Sequence, residues 1–343
     1  MTGTEMEPDA ALPRAGFRVR CYRPGDEDGI LALFGRAFPG AQRGLATWRW
    51  LFRDCPQGAR ITVAEAADGG IVAHYAAIPL RLWCRGEERP VGHCVDSMVD
   101  PRWRRLGRRG PFLATASAYF RWFGDPAPNH LNYGFPNPQA LRLGVRHLAY
   151  EVVHQRFPTL FYNGFEERPL RRLNSRGADC SARPVARFGH RHAGLWERLR
   201  PSIGLALCRD PAYLNWRYVD APLRYECREI LDRTGAVRGL FVLRHGWAGQ
   251  PITALVDLLV APTDVDALAC ALRCALGPVR DRVAARLELW LPPGSPWFCH
   301  ALELGLQAET SLFTMVCSLP RTPDQLGWHR ANWYFTIGDS DVF

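Results

Sequence analysis

Residues 94–112 read Cys94-Val95-Asp96-Ser97-Met98-Val99-Asp100-Pro101-Arg102-Trp103-Arg104-Arg105-Leu106-Gly107-Arg108-Arg109-Gly110-Pro111-Phe112. Val95, Met98 and Val99 favour a strand, and Asp100-Pro101 ends it. The loop that follows carries Arg104, Arg105, Arg108 and Arg109 together with Gly107 and Gly110. Gly110 then caps a helix, and Pro111 takes its first position, where a missing N–H costs nothing. Leu113, Ala114, Ala116, Ala118, Tyr119 and Phe120 continue the helical run. A strand, a Gly/Arg loop and a helix start in that order make an anion site. Unpaired N–H groups and the positive end of the helix dipole converge there, and glycine lets a phosphate approach the backbone closely. A solvated basic turn would look the same in isolation, so the flanking chain has to decide.

Upstream, Phe17–Tyr22 alternates like a strand, Asp26 suits a helix cap, and Ile30, Leu31, Leu33, Phe34 and Phe38 form a helical face. Trp48–Phe52 is an aromatic helix end broken by Asp54–Gly58. Ile61–Ala66 and Ile71–Leu82 flank Asp68-Gly69-Gly70 as a hairpin. A third segment, Leu80–Arg85, turns at Gly86-Glu87 into the strand that ends at Val99. Downstream come a Gly124–Pro128 loop, a short strand His130–Phe135, a stop at Pro136-Asn137-Pro138, a helix Gln139–Arg146 and a strand Tyr150–Val153.

On these residues a family resemblance rests. Val95-Asp96-x-Met98-Val99-x-Pro101-x-Trp103-Arg104-Arg105-x-Gly107 resembles the acyl-CoA signature of the GNAT superfamily of N-acetyltransferases. Arg104-x-x-Gly107 matches the family's pyrophosphate loop; its second small residue would stand at 109, where this chain has Arg109 followed by Gly110. Gly134-Phe135-Pro136-Asn137, followed by the helix to Gly144, resembles the next motif, in which Asn precedes a helix flanking CoA. The resemblance covers residues 17–157. It implies that acetyl-CoA or another acyl-CoA is held by Ser97, Met98, Val99, Arg104, Arg105, Gly107, Arg108, Arg109, Gly110 and Asn137. Many family members carry on that helix a tyrosine that protonates the departing thiolate. The aligned position here is Gly144, and Tyr150 reads as a packed aromatic on the next strand.

The second half repeats the first. Tyr213–Tyr218 with Ala221-Pro222 echoes Trp48-Arg49-Trp50 with Cys55-Pro56. Tyr225–Leu231 and Val237–Leu243 echo the hairpin, and Val256-Asp257 in Ile252–Val260 echoes Val95-Asp96. Thr263-Asp264-Val265-Asp266 then replaces the Gly/Arg loop, and an acidic helix start repels phosphate. The expected fold is therefore α+β: two tandem GNAT-like domains, each a mixed, mostly antiparallel sheet flanked by helices, the second degenerate. The expected division is a disordered tail at 1–14, an acyl-CoA-binding domain at 15–160, an arginine-rich connecting segment at 161–205, and a degenerate domain with a C-terminal tail at 206–343.

The 343 residues suit two domains, and no run approaches the roughly 18 apolar residues of a membrane span. Eleven cysteines, an odd count with no Cys-x-x-Cys, read as reduced thiols of a cytoplasmic protein, with no metal expected even at Cys270 and Cys274. The net charge of +9 favours anionic ligands, which a phosphate-rich cofactor satisfies; nucleic acid is the weaker reading of the basic connecting segment.

The implied chemistry is direct acyl transfer to an amine, best read as a small molecule or amino sugar. Backbone N–H groups at Ser97, Met98 and Val99 would polarise the carbonyl. A base must take the ammonium proton, with candidates Asp96, then Glu65, His93 and His74; Tyr133 would orient the acceptor. Structural roles compete for each of them. Asp339, Asp341 and the terminal carboxylate follow the aromatic run Trp333-Tyr334-Phe335, so the tail is expected to dock, and could draw a cationic amine. A non-catalytic acyl-CoA-binding or regulatory protein and a Fem-like aminoacyltransferase using charged tRNA stay open as alternatives.

Overall fold

The structure is a computed structural model and describes residues 16–124, 130–163, 173, 176–281, 284–318 and 323–341. The expected tail at 1–14, and Arg168, Arg171 and Arg172 of the connecting segment, lie outside the described residues. The chain divides into two compact units. One comprises Met1–Leu80, Arg89–Val152 and Val316–Arg321; the other comprises Arg81–Glu88, Val153–Met315 and Thr322–Phe343.

In the first unit β1 (Phe17–Cys21) leads to α1 (Glu27–Ala37), the short α2 (Leu45–Trp48) and a wide turn, Arg49–Arg53. Then come β2 (Arg60–Ala66), β3 (Ile71–Cys84), β4 (Glu87–Val99), α3 (Pro111–Phe123), β5 (Leu131–Gly134), α4 (Pro138–His147) and β6 (Tyr150–His154). The expected hairpin arm and third segment are one strand, β3, which runs through Pro79 to Cys84 before the turn at Gly86. α1 buries Ile30, Leu33, Phe34 and Ala37, the spacing of one helical face. α3 sets Ala114 and Ala118 against Phe17, Val19, Ala64 and Val72, and Ala116 and Tyr119 against Tyr75 and Ala77. The small alanines let the helix lie close on the sheet.

The second unit contributes β7 (Pro158–Tyr162), β8 (Ser181–Pro184), β9 (Leu205–Leu207), β10 (Glu226–Leu231), β11 (Val237–His245) and β12 (Ile252–Val260). β13 (Arg286–Leu289) and β14 (Gln307–Thr310) complete that set, and β15 (Met315–Ser318) ends the strands of the chain. The two strand orders are β1-β2-β3-β4-β5-β15-β6 and β8-β10-β11-β12-β13-β7-β14. Apart from β9, which pairs with Leu82–Cys84 at the end of β3, they correspond place for place. β4 pairs with β5 in parallel, as β12 does with β13, while the strand beyond runs antiparallel in each. Each sheet also takes one strand from the far half of the sequence: β15 completes the first, and β7, which follows β6 directly, enters the second.

Finer details repeat as well. The wide turn closes with Asp54 N–H on the Arg49 carbonyl, and its counterpart with Asp220 N–H on the Asn215 carbonyl, both at 2.8 Å. This pairs Trp50 with Trp216, a more exact register than the sequence echo suggested. Arg36, near the end of α1, donates to the Ile71 carbonyl at 3.1 Å; Arg198, near the end of the helix His190–Leu199, donates to the Val237 carbonyl at 2.6 Å.

The segment expected as a connection, 161–205, is not irregular throughout. It holds β8 and the helix His190–Leu199, which buries His192, Leu195, Trp196 and Leu199. β8 is a four-residue edge strand that buries little, so it leaves no apolar alternation in the sequence. No helix among the described residues is long and apolar enough to cross a membrane.

His154 ends β6 within the second unit, 5.3 Å from the Phe335 ring. Burial, then repulsion from Arg330, pushes it down from 6.5 to about 4. The unfolded chain therefore binds the extra proton first. The stability tied to neutral His154 is complete above its ordinary value and is lost as the pH falls toward 4. The loss amounts to about 3 kcal/mol at most. Urea midpoints taken from pH 7 to 4 should show this decline, and His154→Phe should remove that part of it; an unchanged slope in the variant would contradict the assignment.

Candidate functional site

The site is built where β4 leaves β5. The parallel ladder pairs only Val91 with Leu131, Gly92 with Asn132 and His93 with Tyr133. Beyond Cys94 the edge of β4 away from β3 carries no strand among the described residues. Asp96 turns that edge: its φ is 50, a left-handed backbone unusual for a non-glycine residue inside a strand. His74 Nδ1 donates to the Asp96 carbonyl at 2.8 Å, and Arg43 Nη2 meets Asp96 Oδ1 at 2.5 Å.

β4 ends at Asp100, whose carboxylate is 1% exposed and accepts from Arg102 N–H and from the Arg102 and Arg36 side chains. The Arg102 bonds above all hold this carboxyl well below its usual range, with Arg36 adding to the effect. The loop Pro101–Arg109 winds outward from this anchor and breaks at Gly107, with φ 51 and ψ −127. Gly110 N–H returns to the Gly107 carbonyl at 3.0 Å, and α3 begins with Pro111. Arg104 ties the loop to the end of α1 through the Ala37 carbonyl at 3.2 Å.

Strand edge, loop, helix start and the first turns of α4 enclose one cleft with a cavity of about 120 Å³. Ser97, Met98, Val99, Arg104, Gly107, Gly110 and Asn137 line it, as do residues the sequence did not suggest: Ala37, Phe38, Phe112 and Leu143. Arg105, Arg108 and Arg109 are exposed on the same loop. Asn137 spends its side-chain oxygen on Gln139 and Ala140 N–H, capping α4 at the cleft wall. The lining is mixed: Ala37, Phe38, Met98, Phe112 and Leu143 are apolar, while Ser97, Arg104 and Asn137 are polar. Such a surface suits a chain with a phosphate head and an apolar arm.

The other candidates lie elsewhere. Glu65, on β2, meets Arg18 at 2.9 Å and Arg20 at 2.5 Å, and its bonds to Arg18 first, then Arg20, hold it below the usual carboxylate range. His93 stacks on Tyr133 with centroids 4.6 Å apart, and both are buried. None of the three lines the cleft. The Tyr150 ring fills the space beside Gly144: a Cβ there would come within 2.0 Å of it. The Tyr150 hydroxyl meets that of Tyr75 at 2.6 Å, and burial holds both phenols above their usual range.

In the second unit the corresponding place is filled by the chain itself. β12 pairs with β13 only as far as Leu255, and the C-terminal segment lies along the edge beyond. Trp333, Tyr334 and Phe335 are buried, as the tail's expected docking requires. Tyr334 donates to the Leu258 carbonyl, Thr336 Oγ1 meets Asp257 at 3.3 Å, and a Cβ on Gly338 would strike Tyr218. Asp339 is 1% exposed and bound by Arg209 at 2.6 Å and Thr336 N–H at 2.7 Å. Its expected pull on an amine is therefore replaced by an internal ion pair; Asp341, two residues further on, is half-buried. The sequence displayed the charge of Asp339 but not its partner, 130 residues away.

Residues 18–126 match the acetyltransferase (GNAT) domain family. Solved structures share the architecture. A probable N-acyltransferase from Enterococcus faecalis V583 has a TM-score of 0.61 at 14% identity, covering 88% of this chain and 72% of that one. A GCN5-related N-acetyltransferase from Kribbella flavida has a TM-score of 0.60 at 17% identity, covering 88% and 70%. The Saccharomyces cerevisiae N-myristoyltransferase with bound myristoyl-CoA has 0.57 at 11% identity, covering 90% and 80%. No curated protein matches the chain in sequence. Residues 18–126 therefore resemble a GNAT acetyltransferase domain, and the chain shares its fold with these solved acyltransferase structures.

Proposed function

We propose that the first unit binds an acyl-CoA and passes its acyl group, best read as acetyl, to a primary amine of a small molecule or amino sugar. The observation that carries this reading is the convergence of the unpaired β4 edge, the glycine-broken loop and the α3 start on one cleft. Loop N–H groups with Arg104 and its exposed neighbours would hold the pyrophosphate. The backbone at Ser97–Val99 would bond the pantetheine arm and polarise the thioester carbonyl. The neutral amine attacks that carbon; the C–N bond forms, the C–S bond breaks, the amine gives up a proton and the thiolate takes one. The sealing of the second cleft by Tyr334–Ser340 supports a single cofactor site among the described residues.

The test is calorimetric titration with acetyl-CoA and longer acyl-CoAs, myristoyl-CoA included because a myristoyl-CoA enzyme shares the fold, followed by thiol release against a panel of amines. One equivalent bound and amine-dependent thiol release are expected. Binding without release on any amine would favour a non-catalytic acyl-CoA protein. Failure to bind any acyl-CoA would refute the reading and turn attention to charged tRNA.

A further inference from the structure

We infer that Asp96 is a positioning residue, clamped in its left-handed conformation by His74 at the carbonyl and Arg43 at the carboxylate, so that the Ser97–Val99 backbone faces the cleft. The inference rests on the acyltransferase reading of that cleft.

A side chain at positive φ inside a strand is strained, and such strain persists only where surrounding contacts over-determine it. Here there are two, from different elements. His74, on β3, is fully buried; since a carbonyl can only accept, Nδ1 carries the proton. Arg43, in the loop before α2, has its guanidinium 5.0 Å from the Phe34 ring centroid and is itself held in place. Release of either leaves Asp96 to relax toward ordinary strand geometry. That would rotate the next peptide units and misdirect the groups that polarise the thioester.

The second unit supplies an independent observation. Arg209 stands before the helix Pro211–Leu214 as Arg43 stands before α2, and Asp257 stands on β12 as Asp96 does on β4. Arg209 Nε meets Asp257 Oδ1 at 2.9 Å with both side chains fully buried, and the β11–β12 ladder shifts register between Val242 and Leu243, opposite Asp257. The arginine–aspartate pair therefore persists where the glycine loop is gone and the cleft is filled. Asp257 itself is not left-handed, so the pair there accompanies the register shift of the ladder, and the left-handed turn belongs to Asp96.

The experiment compares Asp96→Asn, Asp96→Gly and Asp96→Val, with His74→Asn and His74→Leu as a second pair. Asparagine and glycine accept left-handed backbone and valine does not. Positioning predicts kcat losses within about tenfold for Asp96→Asn, somewhat more for Asp96→Gly, and on the order of 100-fold for Asp96→Val. His74→Leu should lose about as much as Asp96→Val, and His74→Asn, which keeps an N–H donor, should recover most of it. Acyl-CoA affinity, measured directly, should stay near wild type throughout, as should the acid limb of the pH–rate profile in Asp96→Asn. Equal, severe losses across the Asp96 series, with that limb abolished, would make Asp96 the base and overturn the inference. Wild-type rates in Asp96→Val or His74→Leu would also overturn it. If the wild type neither binds nor turns over acyl-CoA, the acyltransferase reading falls and this inference with it; binding and turnover with the wrong order of losses refutes the inference alone.

Discussion

Gly107→Val should weaken acyl-CoA binding by about 10- to 100-fold while leaving the melting temperature of the free protein nearly unchanged. Crowding is not the cause, because a Cβ at this position would meet nothing within 4 Å. The cause is the backbone, whose φ of 51 and ψ of −127 belong to a region that only glycine enters freely. A branched residue must rewind the loop to escape it. Rewinding breaks the Gly110 N–H bond to the Gly107 carbonyl and shifts the start of α3, so the N–H groups no longer converge on a phosphate. The loop is exposed and buries no residue of its own, which is why global stability should change little. Calorimetry with acetyl-CoA beside a thermal melt checks both halves of this expectation. Equal affinity in Gly107→Val and wild type would remove the loop from cofactor binding.

Residues 1–157 produced alone should neither unfold cooperatively nor bind acyl-CoA, although they contain the entire glycine loop and both flanking helices. The missing part is β15, which lies against β5 with Val316 opposite Gly134, Cys317 opposite Tyr133 and Ser318 opposite Asn132. Met315, Val316 and Cys317 are at most 3% exposed. Without them β5 presents an open edge beside the cleft, and Leu131 and Tyr133 lose part of their cover. Exposing several fully buried side chains costs about 1.5–3 kcal/mol each, comparable in sum to the whole stability of a domain. An open apolar edge also invites aggregation. Co-production of residues 158–343 supplies β15 and should restore a soluble complex that binds acyl-CoA. A monomeric 1–157 fragment with a sharp melt and wild-type affinity would show that the exchanged strand is dispensable.

Local sequence determined much of this protein. The run from Val95 to Phe120 announces strand, glycine loop and helix because each transition has its own residue chemistry: β-branched positions, Asp100-Pro101, Gly107, then Gly110-Pro111. The repetition of those signals from Tyr213 to Val260 made the duplication legible, and the acidic start at Asp264 marked which copy lost its phosphate loop. Partners distant along the chain were not legible. Strands of four or five residues such as β7, β8 and β15 carry no record of which sheet will take them, so the exchange of β7 and β15 between the units appears only once hydrogen bonds are paired. The same holds for side chains. Asp339 reads in the sequence as a charge on a docked tail, and only the fold sets Arg209 against it; Tyr150 reads as a packed aromatic, and only the fold shows its ring lying beside Gly144. Asp96 reads in the sequence as a candidate base, and only the fold shows its positive φ and its bonds to His74 and Arg43. Propensity and capping act over a few residues and can be read along the chain, whereas burial, ion pairing and backbone strain depend on what the fold brings alongside.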